Sequence, residues 1–226
     1  MQRRTSIDYS LYLVTDRGMI GRRSLIEVIE ESIQGGVTIV QLREKHASTR
    51  EFFELAVTVK ERIQPHGIPL IINDRLDIAL ACRADGVHVG QSDMDCSIVR
   101  KIVGREMLVG VSVSTVEEAL RAEADGADYV GVSPVFDTPT KTDTPSATGL
   151  EGLRSIRQSV SIPLVGIGGI KASNAARVLA HGADGIAVVS AIIAAPQPRA
   201  AAQELRVAVS TGRVVADVCE VKERKS

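Results

Sequence analysis

Eight short apolar runs recur along this chain, each of strand length and mostly β-branched, with helix-period segments between them. They cover residues 11–14, 38–42, 70–72, 87–89, 108–111, 129–132, 164–167 and 186–189. A strand that is apolar at consecutive positions needs cover on both faces, as in a parallel sheet wrapped by helices. The intervening segments supply that cover. Leu25, Ile26, Ile29 and Ile33 mark one apolar stripe, and Phe52, Leu55, Ala56, Val59 and Ile63 mark another. Helix starts are signalled by Ser24 with Glu27, Ser48 with Glu51 and Thr115 with Glu118, the S/T-x-x-E pattern of a capping box. Glycine steps end the helices, and an Ala-Asp dipeptide precedes a strand at 84–85, 127–128 and 183–184. An open doubly wound sheet has the same alternation. The count of eight, and the lack of a dinucleotide fingerprint after the first run, favour a closed single-domain (β/α)8 TIM barrel.

Residues 1–210 are expected to form this catalytic barrel, and residues 211–226 a frayed tail. Aromatic residues make up 3% of the chain and Trp is absent, so the core must be built from Val, Ile, Leu and Ala. A net charge of −1 argues against nucleic acid or an acidic membrane as the main partner. Cys82, Cys96 and Cys219 form no CxxC pair and read as reduced thiols. No secretory h-region follows Met1, and no apolar run approaches the ~20 residues that span a bilayer, so the cytoplasm is the expected location. The oligomeric state stays open, a homo-oligomer included.

Barrels of this kind work at the C-terminal ends of their strands, and polar residues gather there. Arg43 and Lys45, two apart, should point to one side and suit a diphosphate, although solvated charge paired with Glu44 would look the same. Asp74 and Asp93 follow successive strands. Either could cap a helix, but beside a bound diphosphate two carboxylates imply a divalent cation such as Mg²⁺. Gly166-Ile167-Gly168-Gly169 ends the seventh run and Val189-Ser190 the eighth. Glycine there serves either a tight turn or a phosphate held by backbone N–H groups. His88 lies inside a strand and reads as a satisfied barrel residue more than as a base.

With these residues in view, residues 8–195 resemble the thiamine phosphate synthase family. The matching motifs run in order: Tyr12-Leu13-Val14-Thr15-Asp16, Val40-Gln41-Leu42-Arg43-Glu44-Lys45, Asn73-Asp74-Arg75 and Gly86-Val87-His88-Val89-Gly90-Gln91 with Asp93-Met94. Gly110-Val111-Ser112, Tyr129-Val130-Gly131, Thr138-Pro139-Thr140-Lys141, Gly166-Ile167-Gly168-Gly169-Ile170 and Val188-Val189-Ser190 complete the set. The resemblance implies an Mg²⁺-dependent transferase that joins an aminopyrimidine diphosphate to a thiazole phosphate through a pyrimidine-methylene cation. It implies that Gln41, Leu42, Arg43, Glu44, Lys45, Asn73, Ser112 and Lys141 surround the pyrimidine diphosphate. Arg43, Lys45, Ser112 and Lys141 would be catalytic, and Asp74 and Asp93 would hold Mg²⁺. Thr138, Pro139, Thr140, Gly169, Val189 and Ser190 would receive the thiazole phosphate. Departures from the family pattern are Ser114 where His is frequent, Ser133 and Asp137 near the sixth strand, and Asp95 after Met94. A thiazole tautomerase on the same barrel would need a base where this chain has Pro134. A non-catalytic regulatory barrel would not need the metal and leaving-group residues together.

Overall fold

The computed structural model describes residues 7–137 and 147–223, with side chains through residue 214. Eight parallel strands close into a barrel. They are β1 (Leu11–Val14), β2 (Ile39–Leu42), β3 (Leu70–Asn73), β4 (Gly86–Val89), β5 (Leu108–Val113), β6 (Tyr129–Val132), β7 (Leu164–Ile167) and β8 (Gly185–Val188), and β8 pairs back onto β1. Around them lie α1 (Leu25–Gln34), α2 (Thr49–Ile63), α3 (Leu76–Ala81), α4 (Cys96–Val103), α5 (Val116–Ala124), α6 (Gly149–Ser159), α7 (Ala172–Ala180), the short α8 (Ser190–Ile193) and α9 (Pro198–Glu223). No described helix is long and apolar enough to cross a membrane.

The strand period of two divides the apolar residues into two cores. Leu11, Leu13, Val40, Leu42, Val87, Val109 and Val130 point outward and are buried under the helices. Tyr12, Val14, Ile39, Ile71, Leu108, Tyr129, Val165 and Ala187 point inward and fill the barrel. Near the mouth the inward positions turn polar: Gln41, Asn73, His88 and Ser112.

The caps form as the sequence signals. Ser24, Ser48 and Thr115 each accept a hydrogen bond from the expected backbone N–H, and Ser48 with Glu51 completes the reciprocal box. At α5 the return bond shifts by one residue. The Glu118 carboxylate accepts from the N–H of Ser114 at 2.6 Å and from its Oγ at 3.0 Å, instead of from Thr115. Ser114 is thereby bound into the start of α5.

The recurrent aspartates lock the opposite end of the barrel. Asp85, Asp128 and Asp184 precede β4, β6 and β8, and each carboxylate accepts a strand N–H from β3, β5 or β7: Leu70 at 2.9 Å, Val109 at 2.8 Å and Leu164 at 2.8 Å. Thr38 does the same before β2, its Oγ1 accepting from Leu11 N at 3.1 Å. Asp128 also pairs with Arg100 of α4. Asp128→Ala should cost about 1–3 kcal/mol, because it leaves both the Val109 N–H and the guanidinium short of a partner. Urea unfolding should show the lower midpoint while turnover stays near wild type, since the site lies at the far end.

α9 runs across position 211 without a break. Ala202, Leu205 and Val209 are fully buried. Gly212 packs so closely on Ala176 and Leu179 of α7 that an added Cβ would lie 2.8 Å from each. Gly35 and Gly36, after α1, lie against Arg199 and Arg206 on the other side. α9 therefore wedges between α1 and α7 and covers the β8–β1 seam. Its buried face carries Leu205 and Val209 at helical spacing and reaches Gly212, while Val214 is exposed.

Candidate functional site

A cavity of about 930 Å³ opens at the C-terminal ends of the strands. Of the residues singled out in the sequence, Gln41, Arg43, Asn73 and Ser112 line it from the β2, β3 and β5 ends, and Gly169, Val189 and Ser190 from the β7 and β8 ends. Lys45, Asp74 and Asp93 are not in its wall and form a group on the rim. Leu42 is fully buried beneath the helices, so only its backbone faces the mouth. Glu44 turns away to pair with Arg17 at 3.1 Å. Thr138, Pro139, Thr140 and Lys141 lie outside the described residues.

Arg43 and Lys45 do not share a side, because β2 ends at Leu42 and its alternation stops there. Arg43 follows the inward direction of Gln41 and meets Asp16 at 3.4 Å, while its N–H donates to Thr15 Oγ1 at 3.0 Å. Lys45 swings toward β3, and its Nζ lies 2.8 Å from Asp74 Oδ2. The two cations thus straddle the β2 end.

Neither acid caps a helix by its side chain. Asp95, not Asp93, caps α4 by accepting from Ser97 N at 2.9 Å. The Asp93 carboxylate accepts from Gly90 N at 2.7 Å and so folds back over the β4 end. Asp74 has φ +61, a left-handed conformation that a non-glycine residue holds only when its surroundings compel it. Its N–H is tied to His88 O at 2.8 Å. The outcome is two carboxyl groups in contact. Partial burial, together with the adjacent Asp74 carboxylate, pushes Asp93 above the usual carboxylate range. Two carboxyl groups brought together beside Lys45 are hard oxygen donors of the kind that fit a divalent cation. Among the described residues no set of three or more His, Cys, Asp or Glu surrounds a point, so the pair would need oxygens from the ligand or water to complete a coordination shell.

Several residues that shape the cavity carried no such signal in the sequence. Asp16 positions Arg43, and Lys171 and Glu204 line the wall. Tyr12 and Tyr129 are buried inside the barrel and hydrogen-bond each other at 2.8 Å. His88 is a satisfied barrel residue as expected: Nδ1 lies 3.0 Å from Tyr129 OH and Nε2 lies 2.9 Å from Ser112 Oγ. One hint was available, since all three tyrosines of a chain poor in aromatics fall within two residues of a strand start, and all three cluster inside the barrel.

The glycines after β7 form a tight turn, one of the two roles their sequence allows. Gly168 and Gly169 have φ +102 and +64. A Cβ at Gly169 would lie 2.8 Å from Asp137 O and 2.8 Å from Phe136 Cβ, in the loop after β6. The missing side chain therefore makes room for that loop, while Gly169 still lines the cavity. Asn174 fixes the turn by donating to Gly169 O at 3.0 Å and accepting from Lys171 N at 2.8 Å.

Comparison with known proteins gives one consistent result. Residues 11–192 match the family described as thiamine monophosphate synthase. A thiamine-phosphate synthase of Chloroflexus aurantiacus is 55% identical over 90% of this chain and 94% of its own length. One from Syntrophomonas wolfei is 53% identical over 88% of this chain and 95% of its own. Among solved structures, a thiamine phosphate pyrophosphorylase from Pyrococcus furiosus superposes with a TM-score of 0.84 at 41% identity, covering 92% of this chain and 98% of that one.

Proposed function

The chain belongs to the thiamine monophosphate synthase family, and from that premise we infer that its mouth joins an aminopyrimidine diphosphate to a thiazole phosphate, giving thiamine phosphate and diphosphate. The observation that carries this reading is a family match spanning all eight strands, laid over one cavity with cations at the β2 end and glycine turns at the β7 end.

The chemistry suits the groups present. The pyrimidine methylene loses diphosphate to give a cation that the 4-amino ring stabilises, and the thiazole nitrogen then attacks it. That nitrogen has no proton to lose, so no general base is required. His88, the one histidine among the described residues lining the cavity, has its ring nitrogens engaged by Tyr129 and Ser112. A tautomerase would need a free base there, and Pro134 follows β6 at the position in question. The difficult step is charge developing on the departing diphosphate. Arg43 and Lys45, held on either side of the β2 end, would meet it, together with Lys141, which follows β6 in the sequence. Asp74 and Asp93 would hold Mg²⁺, which when bound supplies further stabilisation of the leaving-group charge. Gly169, Val189 and Ser190, with Thr138 and Thr140, would take the thiazole phosphate, largely through backbone N–H groups near helix starts. The free thiols of Cys82 and Cys96 support the cytoplasm as its place of work.

Turnover with both substrates and Mg²⁺ tests the reading, and release of diphosphate without thiamine phosphate would refute it. The metal assignment also predicts a pH dependence. Asp93 must be ionised to bind a cation, and its pKa is raised. The apparent Mg²⁺ affinity should therefore weaken as pH falls, beginning at a higher pH than an ordinary carboxylate would give. Mg²⁺ half-saturation measured against pH should show this slope in wild type and lose it in Asp93→Asn.

A further inference from the structure

Five inward side chains from five strands form one unbroken hydrogen-bonded chain across the barrel: Gln41, Tyr12, Tyr129, His88 and Ser112. Its proton order follows from what each group can do. Gln41 Nε2 donates to Tyr12 OH at 2.8 Å and cannot accept. Tyr12 then gives its own proton to Tyr129 OH, 2.8 Å away, the order in which every hydroxyl of the chain both accepts and donates. The Tyr129 proton passes in turn to His88 Nδ1 at 3.0 Å. With Nδ1 accepting, a neutral His88 carries its proton on Nε2 and gives it to Ser112 Oγ at 2.9 Å. Every donor points the same way. The two ends left facing the cavity are Gln41 Oε1, an acceptor, and the Ser112 hydroxyl hydrogen, a donor.

We propose that Tyr12, Tyr129 and His88 are positioning residues that lock Gln41 and Ser112 in this donor–acceptor order, and that the order selects an amino-substituted pyrimidine over its oxo counterpart. The inference rests on the aminopyrimidine reading given above. An aminopyrimidine offers an N–H donor beside an acceptor ring nitrogen, the complement of what the two ends present. In the oxo ring both roles are inverted. It would be matched only if the whole chain of protons reversed and the Gln41 amide turned over.

Two further observations support a built device. Burial pushes the pKa of both tyrosines up, so their hydroxyls stay protonated. The strands also leave space for it. A Cβ at Gly110 would run into the Tyr129 hydroxyl and the His88 ring, and one at Gly131 would lie 3.2 Å from His88 Cε1.

The test uses Tyr129→Phe, which keeps the ring and removes the central hydroxyl. In wild type, ¹⁵N NMR should show His88 protonated at Nε2 and bare at Nδ1, a signal resolvable in a chain with four histidines. In the variant that tautomer should no longer be fixed. The ratio of kcat/KM for the aminopyrimidine diphosphate to that for the 4-oxo analogue should fall about tenfold or more, as loss of one enforced hydrogen bond implies. A merely structural role would lower both values together and leave the ratio unchanged. An Nδ1–H tautomer in wild type, or an unchanged ratio in a cooperatively melting variant, overturns the proposal. If the variant does not fold, the wild-type tautomer decides. If wild type fails to convert the aminopyrimidine diphosphate at all, the functional reading is wrong, while the NMR result still judges the relay.

Discussion

Asp74→Ala and Asp93→Ala should each lower kcat about 10²–10³-fold, roughly 3–4 kcal/mol of lost transition-state stabilisation, with a smaller effect on KM for the thiazole phosphate. The two acids meet above the β3 and β4 ends, and neither serves a helix cap that would explain its place. Asp74 holds a left-handed backbone to get there. Removing either one relieves the repulsion between them, so stability should fall little or even rise. That separates a metal role from a structural one. EDTA should abolish condensation in wild type and Mg²⁺ restore it. Two variants that turn over at the wild-type rate in metal-free buffer would sink the assignment.

Gly169→Val should lose about 2–4 kcal/mol of stability and should also impair turnover with both substrates. Two causes add. A β-branched residue is strained at φ +64, and its side chain would press on the backbone of Phe136 and Asp137. That loop is stitched to the end of β7, with Val135 N donating to Ile167 O at 2.9 Å and Phe136 N to Gly168 O at 3.1 Å. It leads directly into the Thr138–Lys141 segment. If Lys141 meets the leaving group as proposed, disturbing this loop should reach it as well as the thiazole phosphate, so kcat should fall and KM for the thiazole phosphate should rise together. Thermal melting and steady-state kinetics of the valine and alanine variants check this. A valine variant that melts and turns over as wild type would show that the two loops do not press on each other.

Much of the architecture was legible because its causes are local. The eight runs lie within one or two residues of the observed strands, since a strand buried on both faces leaves a continuous apolar mark. Ser48 with Glu51 states its own cap. The site was legible where a residue type betrays its place, as with polar Asn73 and Ser112 closing otherwise apolar strands. It was not legible where one residue of backbone decides direction. Lys45 lies beyond the strand end at Leu42, so the two-residue rule could not place it beside Arg43. Leu42 shares a motif with Gln41 and Arg43 but faces the helices, because adjacent strand positions point opposite ways. The Tyr12–Tyr129–His88 chain was out of reach, since its members come from strands far apart in sequence and meet only once the barrel closes. The contact of Gly169 with the loop after β6 was out of reach too, since sequence spacing cannot bring the two loops alongside.

The wedge of α9 between α1 and α7 sets an order of assembly during synthesis. All eight strands leave the ribosome before Ala202, Leu205 and Val209, the residues that cover the seam where β8 returns to β1. Until they emerge, the nascent barrel has all its strand pairing partners but an uncovered strip where its two ends meet. Asp8, just ahead of β1, joins Arg206 of α9 at 3.4 Å, so this contact at the start of the fold waits for residue 206 to be translated. A stalled chain ending before α9 would carry complete catalytic strands around a barrel still open to chaperones along one edge.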